Sequence, residues 1–284
     1  MKKRLPLLAL LGLLSAVAFL VLNRNEPEPP APSVIVEPQP VQTEATPSVI
    51  EVEAPVSSTP APRKTIPTPA HPGYQFRAAS KDGTGKFFLG REISHVMGHQ
   101  AISWLERSNR PAEEDPDKAL ALLDLPVDTV IADIGAGSGY HTFRLAKMLP
   151  RGEVIAVDIQ PEMLTFLTEK RQKLGVNNVR TQLGTVKSVN LPGGSIDAAL
   201  MVDAYHEFSY PFEMARSLYQ ALRPGGQIFL LEYRAEDPQI PIKPLHKMTE
   251  AQAIAEWETA GFQHVGTKPD LPWQHLLVFQ KPSI

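Results

Sequence analysis

The stretch VIADIGAGSGYHT (130–142) joins an apolar run to a turn that contains three glycines, at positions 135, 137 and 139. A short apolar run that ends in such a turn is typical of a buried strand followed by a helix. Glycine permits positive φ angles and a close approach of the backbone to a ligand. Since the N–H groups that begin the next helix favour a polar or anionic group, we expect a ligand at this turn.

Apolar runs and amphipathic stretches alternate after this point. Strands are predicted at 128–134, 153–159, 179–183, 196–202, 227–233, 262–266 and 275–280. Helices are predicted at 140–149, 161–174, 212–222 and from 249 onward. This alternation predicts an α/β fold, a doubly wound and mostly parallel seven-stranded sheet with helices on both faces.

The N-terminal part of the chain has a different character. Residues 1–25 place Lys2, Lys3 and Arg4 before 17 uncharged residues (6–22), a length at the short end for a membrane-spanning helix. We interpret this segment as a signal anchor, although the triplet Ala16-Val17-Ala18 leaves a cleaved signal peptide open. The positive-inside rule then predicts an extracytoplasmic location for the rest of the chain.

Three further parts follow this segment. Residues 26–72 hold 13 of the 28 prolines and no glycine, which indicates a disordered, semi-rigid stalk. Residues 73–115 are predicted to form a helical extension, and residues 116–284 the α/β domain. The sequence does not predict an oligomeric state.

Composition excludes several classes of function. The net charge of −3 gives no reason to expect a nucleic-acid partner. The absence of cysteine excludes a disulfide framework, a thiolate zinc site, a cysteine nucleophile and a cysteine-linked lipid anchor.

Two details of the sequence narrow the class of ligand that this turn can bind. The glycine spacing is G-x-G-x-G, and Tyr140 follows where the dinucleotide fingerprint places its third small residue. A nicotinamide-dependent oxidoreductase is therefore disfavoured. Asp158 ends the second predicted strand, where a carboxylate can accept hydrogen bonds from the two hydroxyls of a ribose. A strand-end Asp can also simply cap the next helix.

Four stretches together resemble the motifs of class I S-adenosylmethionine-dependent methyltransferases. They are VIADIGAGSGYHT (130–142), VIAVDI (154–159), IDAALMVDAYHEF (196–208) and LRPGG (222–226). HLLVFQKP (275–282) is similar to the last strand of that family, which inserts antiparallel into the sheet. EYRAEDPQIPIKPLHKMTEAQ (232–252) with REISHVMGHQ (91–100) looks like a bacterial subgroup, here membrane-anchored, to which we attach no substrate.

The resemblance implies S-adenosylmethionine as cofactor and assigns one set of residues to its methionine part. Gly135, Gly137 and Gly139 would line this part, and Asp133 would meet its amino group. The activity implied is methyl transfer to a small-molecule acceptor.

A second set of residues would hold the rest of the cofactor. Asp158 would bind the ribose hydroxyls, Ile159 would pack on the adenine, and Asp203 would close the site beside the sulfonium. Thr185 departs from the family pattern, since many members carry Asp there, near the adenine amine. The hydroxyl of Thr185 can still accept a hydrogen bond.

The catalytic residues should follow the fourth and fifth strands, because ligands bind at the carboxyl ends of the strands in such folds. Eight polar or ionisable side chains occur there: His206, Glu207, Glu232, Tyr233, Arg234, Lys243, His246 and Lys247. We predict His206 as the base, because its ordinary pKa suits proton transfer near neutrality.

We predict a catalytic pocket beside the cofactor methyl group for a small polar acceptor. It would contain His206, Glu232, Arg234 and His246, with Arg234 gripping a hydroxyl or carboxylate. Residues 232–248 would form its outer wall, and a helix over 91–107 its lid. As an alternative, Glu232 and Arg234 only pair with each other, or with Lys243 and Lys247, on the surface. Residues two apart on a strand share a face, so a pair between Glu232 and Arg234 is geometrically easy.

His95 and His99 have the four-residue spacing of metal ligands on a helix, but no third ligand accompanies them. We therefore predict no metal site and assign Trp104 to packing in the core or in the lid rather than to a stacking platform. A second functional hypothesis stays open: a non-catalytic cofactor- or ligand-binding module displayed at the membrane.

Overall fold

The computed structural model describes residues 68–283. The predicted anchor (1–25) and most of the predicted stalk (26–72) lie outside the described residues. Within residues 68–283, no helix is long and apolar enough to cross a membrane.

A small antiparallel sheet begins the described part. Its strands, in spatial order, are β1 (Gln75–Phe76), β2 (Gly83–Phe88) and β3 (Arg91–Ser94). Oε1 of Glu92 accepts hydrogen bonds from the backbone N–H groups of Ser80, at 3.0 Å, and Gly85, at 2.9 Å. This carboxylate therefore holds the loop before β2 against the strand pair.

The predicted helix over 91–107 is wrong. Arg91 and Glu92 pair with β2, and His95 follows in an irregular segment. His99 begins a single turn of 3₁₀-helix that continues into α1 (Ile102–Leu105). Two more short helices follow: α2 (Arg110–Glu114) and α3 (Pro116–Ala121). Because His95 and His99 do not share a helix, their four-residue spacing places no ligand pair on one face.

The seven strands of the central sheet confirm the predicted architecture. They are β4 (Val130–Ile134), β5 (Glu153–Asp158), β6 (Val179–Leu183), β7 (Ile196–Val202), β8 (Leu222–Tyr233), β9 (Gln263–Lys268) and β10 (Gln274–Gln280). Their order is β6-β5-β4-β7-β8-β10-β9. The first five are parallel, and β10 lies antiparallel between β8 and β9. The antiparallel insertion of the last strand is therefore also confirmed.

Four longer helices connect these strands. They are α4 (Thr142–Met148), α5 (Pro161–Leu174), α6 (Pro211–Ala221) and α7 (Glu250–Thr259). Each helix begins within two residues of its predicted start. The first three also end within two residues of their predicted ends, and no end was predicted for α7. The helix α5 has proline in its first turn and ends at Gly175, whose φ of 64° closes the helix in a left-handed conformation.

The hydrophobic core lies on both faces of the central sheet. Successive strand residues point to opposite faces, and on β8 the pair Ile228 and Leu230 packs with α6 and α7, through Leu218 and Trp257. The alternate residues Phe229 and Leu231 pack on the other face with α3 and α4, through Leu120 and Leu145. Helices thus cover both faces, which leaves the carboxyl ends of the parallel strands as the edge where polar groups collect.

Candidate functional site

The glycine turn lies at the carboxyl end of β4. Gly135, Gly137 and Gly139 have φ angles of 71°, 52° and 75°. A Cβ atom on Gly135 would lie 2.9 Å from Ala204 Cβ, and one on Gly137 would lie 2.8 Å from Leu105 Cδ1. The turn therefore needs glycine for its backbone conformation and for close packing.

Asp158 ties this turn to the end of β5. Its Oδ2 accepts a hydrogen bond at 3.0 Å from the Gly137 N–H, and its Oδ1 accepts one at 2.9 Å from the Gln160 N–H. Burial raises the pKa of Asp158 above its usual value. Each oxygen keeps a lone pair that can accept from a ligand hydroxyl.

A cavity opens at the ends of β4, β5 and β7, and we call it the glycine-turn cavity. Six of the residues predicted to bind the cofactor line it: Gly135, Gly137, Asp158, Ile159, Thr185 and Asp203. The Thr185 hydroxyl also accepts hydrogen bonds from the backbone N–H groups of Ser188 (3.0 Å) and Lys187 (3.2 Å). An adenine amine that donates to this hydroxyl would therefore share its oxygen with the two N–H groups that already bond to it.

Gly139 does not line the glycine-turn cavity, and its predicted contact with the methionine part stays a prediction. A Cβ atom there would lie 2.5 Å from Leu167 Cδ2 and 2.7 Å from Phe143 Cε2. The third glycine instead permits α4 and α5 to pack closely on the turn, as the last glycine of such loops does.

Asp133 lies in a smaller polar recess next to Gly135, together with Arg110, Ser138 and His141. Its Oδ2 accepts a hydrogen bond at 2.6 Å from Thr142 Oγ1, and burial raises its pKa to about 6. Ser138 Oγ and His141 Nδ1 are buried without a hydrogen-bond partner. Because buried polar atoms are normally satisfied, this recess fits a polar end of a ligand.

Arg110 was not singled out in the sequence, although it also lines the polar recess. It is buried and pairs with Glu114, and its guanidinium lies 4.2 Å from the centre of the Tyr140 ring. Burial, with Arg110 and Arg144 nearby, lowers the pKa of His141 well below its usual value. The recess therefore combines a neutral histidine with one fixed cation.

Asp203 stands between two cavities. Its φ of 49° is a left-handed conformation that Asp tolerates better than most residues. Oδ2 accepts a hydrogen bond at 2.8 Å from Gln274 Nε2, whereas Oδ1 is buried without a partner. Burial first, and then Glu114 and Glu232, raise the pKa of Asp203 well above its usual value. Such a carboxylate fits a positively charged ligand group.

The second cavity, which we call the histidine cavity, has a volume of about 570 Å³. His95, His206 and His246 contribute to its lining. Pro241, Ile242 and Lys243 also line it, so the 232–248 segment forms part of its wall as predicted. Six residues line both cavities: Val96, Met97, Leu105, Val202, Asp203 and Glu207.

The 95–107 segment contributes to the walls of both cavities, although it is not the predicted single helix. Met97 is held by Gln160, whose Nε2 donates to the Met97 carbonyl at 3.0 Å. Oε1 of Gln160 accepts from the His99 N–H at 2.8 Å. Trp104 lines the histidine cavity and is 49% exposed, so it is not packed in the core.

Three of the four predicted catalytic residues form one cluster. His206 Nδ1 lies 2.7 Å from Oε2 of the fully buried Glu232, and His206 Nε2 lies 3.1 Å from His246 Nδ1. Since a carboxylate only accepts, Nδ1 of His206 carries its proton. Burial alone would lower the pKa of His206, but the Glu232 carboxylate raises this pKa above its usual value. Burial and the neighbouring His206 lower the pKa of His246 to about 4.

Arg234 is not part of this cluster, so its predicted catalytic placement is wrong. Its guanidinium donates to the backbone carbonyls of Leu271 (2.7 Å), Pro272 and Gln274, and so binds the loop before β10. The prediction rested on the position of Arg234 after the fifth strand, at the ligand-binding edge, but β8 ends at Tyr233 and the Arg234 guanidinium faces the loop before β10. The alternative of a Glu232–Arg234 ion pair is also wrong, because Glu232 pairs with His206.

Glu207 also belongs to this cluster. The sequence placed it among the polar side chains at this edge but did not assign it to the catalytic pocket. Its Oε1 lies 3.9 Å from His206 Nε2 and 3.8 Å from His246 Nδ1, and its Oε2 accepts from the Met97 N–H at 3.1 Å. Its position next to His206 was the available signal. However, the 3₁₀ turn Tyr205–Glu207 decides which neighbours face the cavity.

Comparison with known proteins agrees with this geometry. Residues 131–226 match the model of a family described as a methyltransferase domain, a range that contains the glycine turn, Asp158 and Asp203. A Bacillus subtilis protein described as an uncharacterised methyltransferase is 28% identical over 155 residues, which are 54% of this chain and 60% of that protein. The chain therefore spans less than two thirds of this relative.

Solved structures share the fold. A methyltransferase from Aquifex aeolicus described as dependent on S-adenosylmethionine (SAM) has a TM-score of 0.62 at 24% identity, covering 65% of this chain and 99% of that one. The [4+2]-cyclase SpnF has a TM-score of 0.54 at 16% identity, covering 68% of this chain and 87% of that one. These identities establish the fold alone, and a fold does not determine a reaction.

Proposed function

Because residues 131–226 match a family of methyltransferase domains, we propose that the chain is an S-adenosylmethionine-dependent methyltransferase for a small polar acceptor. The observation that carries this proposal is the contact between two cavities that share Asp203 and Glu207. One cavity has the glycine turn and the carboxylate of Asp158. The other presents the histidine cluster.

The residues of the first cavity fit S-adenosylmethionine. Asp158 offers a carboxylate to the ribose hydroxyls, and Ile159 offers an apolar surface to the adenine. In the adjoining recess, Asp133 would meet the amino group, and Ser138 has an unpartnered buried hydroxyl for a polar group. The unpartnered Oδ1 of Asp203 suits the positive sulfonium.

The second cavity supplies a site for the acceptor. When bound, S-adenosylmethionine supplies an electrophilic methyl group. The hydrogen bond to Glu232 keeps the proton of neutral His206 on Nδ1. His206 Nε2 can therefore accept a proton from an acceptor hydroxyl or amine. The Glu232 carboxylate then stabilises the imidazolium that this transfer creates. Val96, Met97 and Leu105 cover both cavities and help to exclude water.

An acceptor screen tests the proposal. The full-length chain is incubated with methyl-labelled S-adenosylmethionine and a panel of small molecules that carry hydroxyl, carboxyl or amine groups. We expect formation of S-adenosylhomocysteine that depends on the acceptor, with label in the product. Cofactor binding without any acceptor-dependent turnover would instead support the non-catalytic binding module, which no specific contact among residues 68–283 favours.

A further inference from the structure

We propose that His206, Glu207 and His246 bind a divalent transition-metal ion, with Zn²⁺ the best match, in the wall of the histidine cavity. The metal site goes beyond the methyltransferase proposal and does not depend on it. Its members come from two distant parts of the chain, the 3₁₀ turn Tyr205–Glu207 after β7 and the 3₁₀ turn Pro244–His246.

The distances among the three ligand atoms carry the proposal. His206 Nε2, His246 Nδ1 and Glu207 Oε1 are separated by 3.1, 3.8 and 3.9 Å. The point equidistant from the corners of such a triangle lies about 2.1 Å from each atom, which is the usual length of Zn²⁺ bonds to His nitrogen and carboxylate oxygen. The three distances are therefore compatible with an ion at the centre of the cluster.

The surroundings prepare these atoms as ligands. Glu232 Oε2 lies 2.7 Å from His206 Nδ1 and accepts a hydrogen bond from its N–H, so the Nδ1 proton stays on that nitrogen and Nε2 keeps its lone pair for an ion. A carboxylate behind a histidine ligand is the common arrangement in metal sites. The second oxygen of Glu207 is also held, at 3.1 Å from the Met97 N–H.

The negative charge of the nearby carboxylates also favours a bound cation. Glu207 and Glu232 both contact His206, and Asp203 lines the same cavity. Among the described residues, no Lys or Arg side chain forms an ion pair with any of these three carboxylates. Buried carboxylates are normally paired with a cation or coordinate a metal.

The donor set indicates the class of ion. Two imidazoles and one carboxylate suit zinc or a similar transition metal, whereas Mg²⁺ and Ca²⁺ prefer sites made of oxygen. Three protein ligands leave a fourth position, as in catalytic zinc sites. Since all three ligands line the histidine cavity, a water or an oxygen or nitrogen atom of the acceptor can fill that position. With an ion bound, His206 Nε2 is a ligand, and it accepts a proton only in the metal-free protein.

Titration with Co²⁺ and Zn²⁺ tests this site. The full-length chain, free of any affinity tag and treated with chelator, is titrated with Co²⁺ and then with competing Zn²⁺. We expect one equivalent of Co²⁺ per chain, the visible absorption of a four-coordinate ion, and its loss when Zn²⁺ displaces Co²⁺. Absence of stoichiometric binding would overturn the proposal.

Variants assign the ligands. His246 is partly exposed, so H246Q should fold, and both H246Q and E207Q should weaken binding by more than the 10–100-fold typical for loss of an outer partner. The matched control is H264Q, because His264 lies on β9 and bonds Thr267. Wild-type affinity in H246Q and E207Q would overturn the assignment. Circular dichroism and urea unfolding of each variant separate metal loss from unfolding.

Glu232→Gln tests the supporting role of Glu232. Its amide can still bond the His206 ring but lacks the charge, so we expect about 10–100-fold weaker Co²⁺ binding with an unchanged absorption spectrum. An unchanged spectrum means that the ligands are the same. Affinity equal to that of the H264Q control would contradict the supporting role.

Discussion

Asp158 Oδ2 accepts a hydrogen bond from the Gly137 N–H at 3.0 Å, so the end of β5 is bound directly to the glycine turn after β4. Two separate sequence motifs therefore form one surface, on which a carboxylate and a closely packed backbone face the same cavity. The cofactor proposal depends on this surface, and its residues can be tested individually.

Asp158→Ala should weaken binding of S-adenosylmethionine. Loss of a charged acceptor of hydrogen bonds costs about 1.5–3 kcal/mol, which corresponds to about a 10- to 150-fold higher Kd. Isothermal titration of the full-length variant measures this change. Asp117→Ala is the control, because the Asp117 side chain is 89% exposed. Equal affinities in the two variants would contradict the ribose contact.

Gly137→Ala should damage binding more than folding. Its φ of 52° adds about 1–2 kcal/mol of strain to any residue with a Cβ atom. Gly175 at φ 64° has the same strain but nothing within 4 Å of an added Cβ. We therefore expect both G137A and G175A to lose unfolding free energy, measured with urea, and G137A to lose more because its added Cβ atom would meet Leu105 Cδ1. Only G137A should lose cofactor affinity, and a parallel loss in G175A would show that strain alone is responsible.

The affinity for S-adenosylmethionine should depend on pH through Asp133. Burial raises its pKa to about 6, so its carboxylate is ionised above this pH and attracts the ammonium group of the cofactor. Protonation at lower pH removes the attraction, and affinity should fall by up to about tenfold per pH unit. Asp133→Asn should bind more weakly and lack this component. The same pH profile in the wild type and the variant would contradict the contact.

Arg234→Ala should reduce stability and leave cofactor affinity unchanged. Its guanidinium donates to several carbonyls of the loop before β10, and hydrogen bonds to charged groups contribute about 1.5–3 kcal/mol. Arg223, which pairs with Asp197 at the surface, provides the control, since exposed ion pairs contribute about 0–1 kcal/mol. Urea unfolding of both variants measures the difference. A large loss of acceptor-dependent turnover in folded R234A, with unchanged cofactor affinity, would restore its predicted place in the acceptor pocket.

Membrane attachment remains a proposal from residues 1–25, which the structure does not describe. The full-length chain should sediment with membranes, and deletion of residues 1–25 should release it into the soluble fraction. Retention of the truncated chain on membranes after a high-salt wash would show a second attachment.

The central sheet could be predicted because its signals are local. The run 196–202 and the helix 161–174, with proline first and Gly175 after it, coincide with β7 and α5. In contrast, β3 exists because Glu92 pairs with Phe87 and its carboxylate holds the preceding loop. The spacing of apolar residues along the chain does not show such pairing, so the predicted helix over 91–107 was wrong.

In the candidate site, too, some residues could be predicted from local sequence signals, whereas their contacts depend on distant parts of the chain. Asp158 and the glycine turn follow from the ends of neighbouring strands, but the partners of His206 come from β8 and from the segment before α7. The sequence placed Glu232 and His246 near His206 by topology alone. It could not show that Arg234 turns away, because that depends on the exact residue at which β8 ends.

The most direct test of the central claim is isothermal titration of the full-length chain with S-adenosylmethionine and, separately, with NAD. The account predicts one molecule of S-adenosylmethionine bound per chain and no measurable binding of NAD, because the glycine spacing and the Asp158–Gly137 contact form the proposed cofactor site. No binding of S-adenosylmethionine, or tighter binding of NAD, would contradict it.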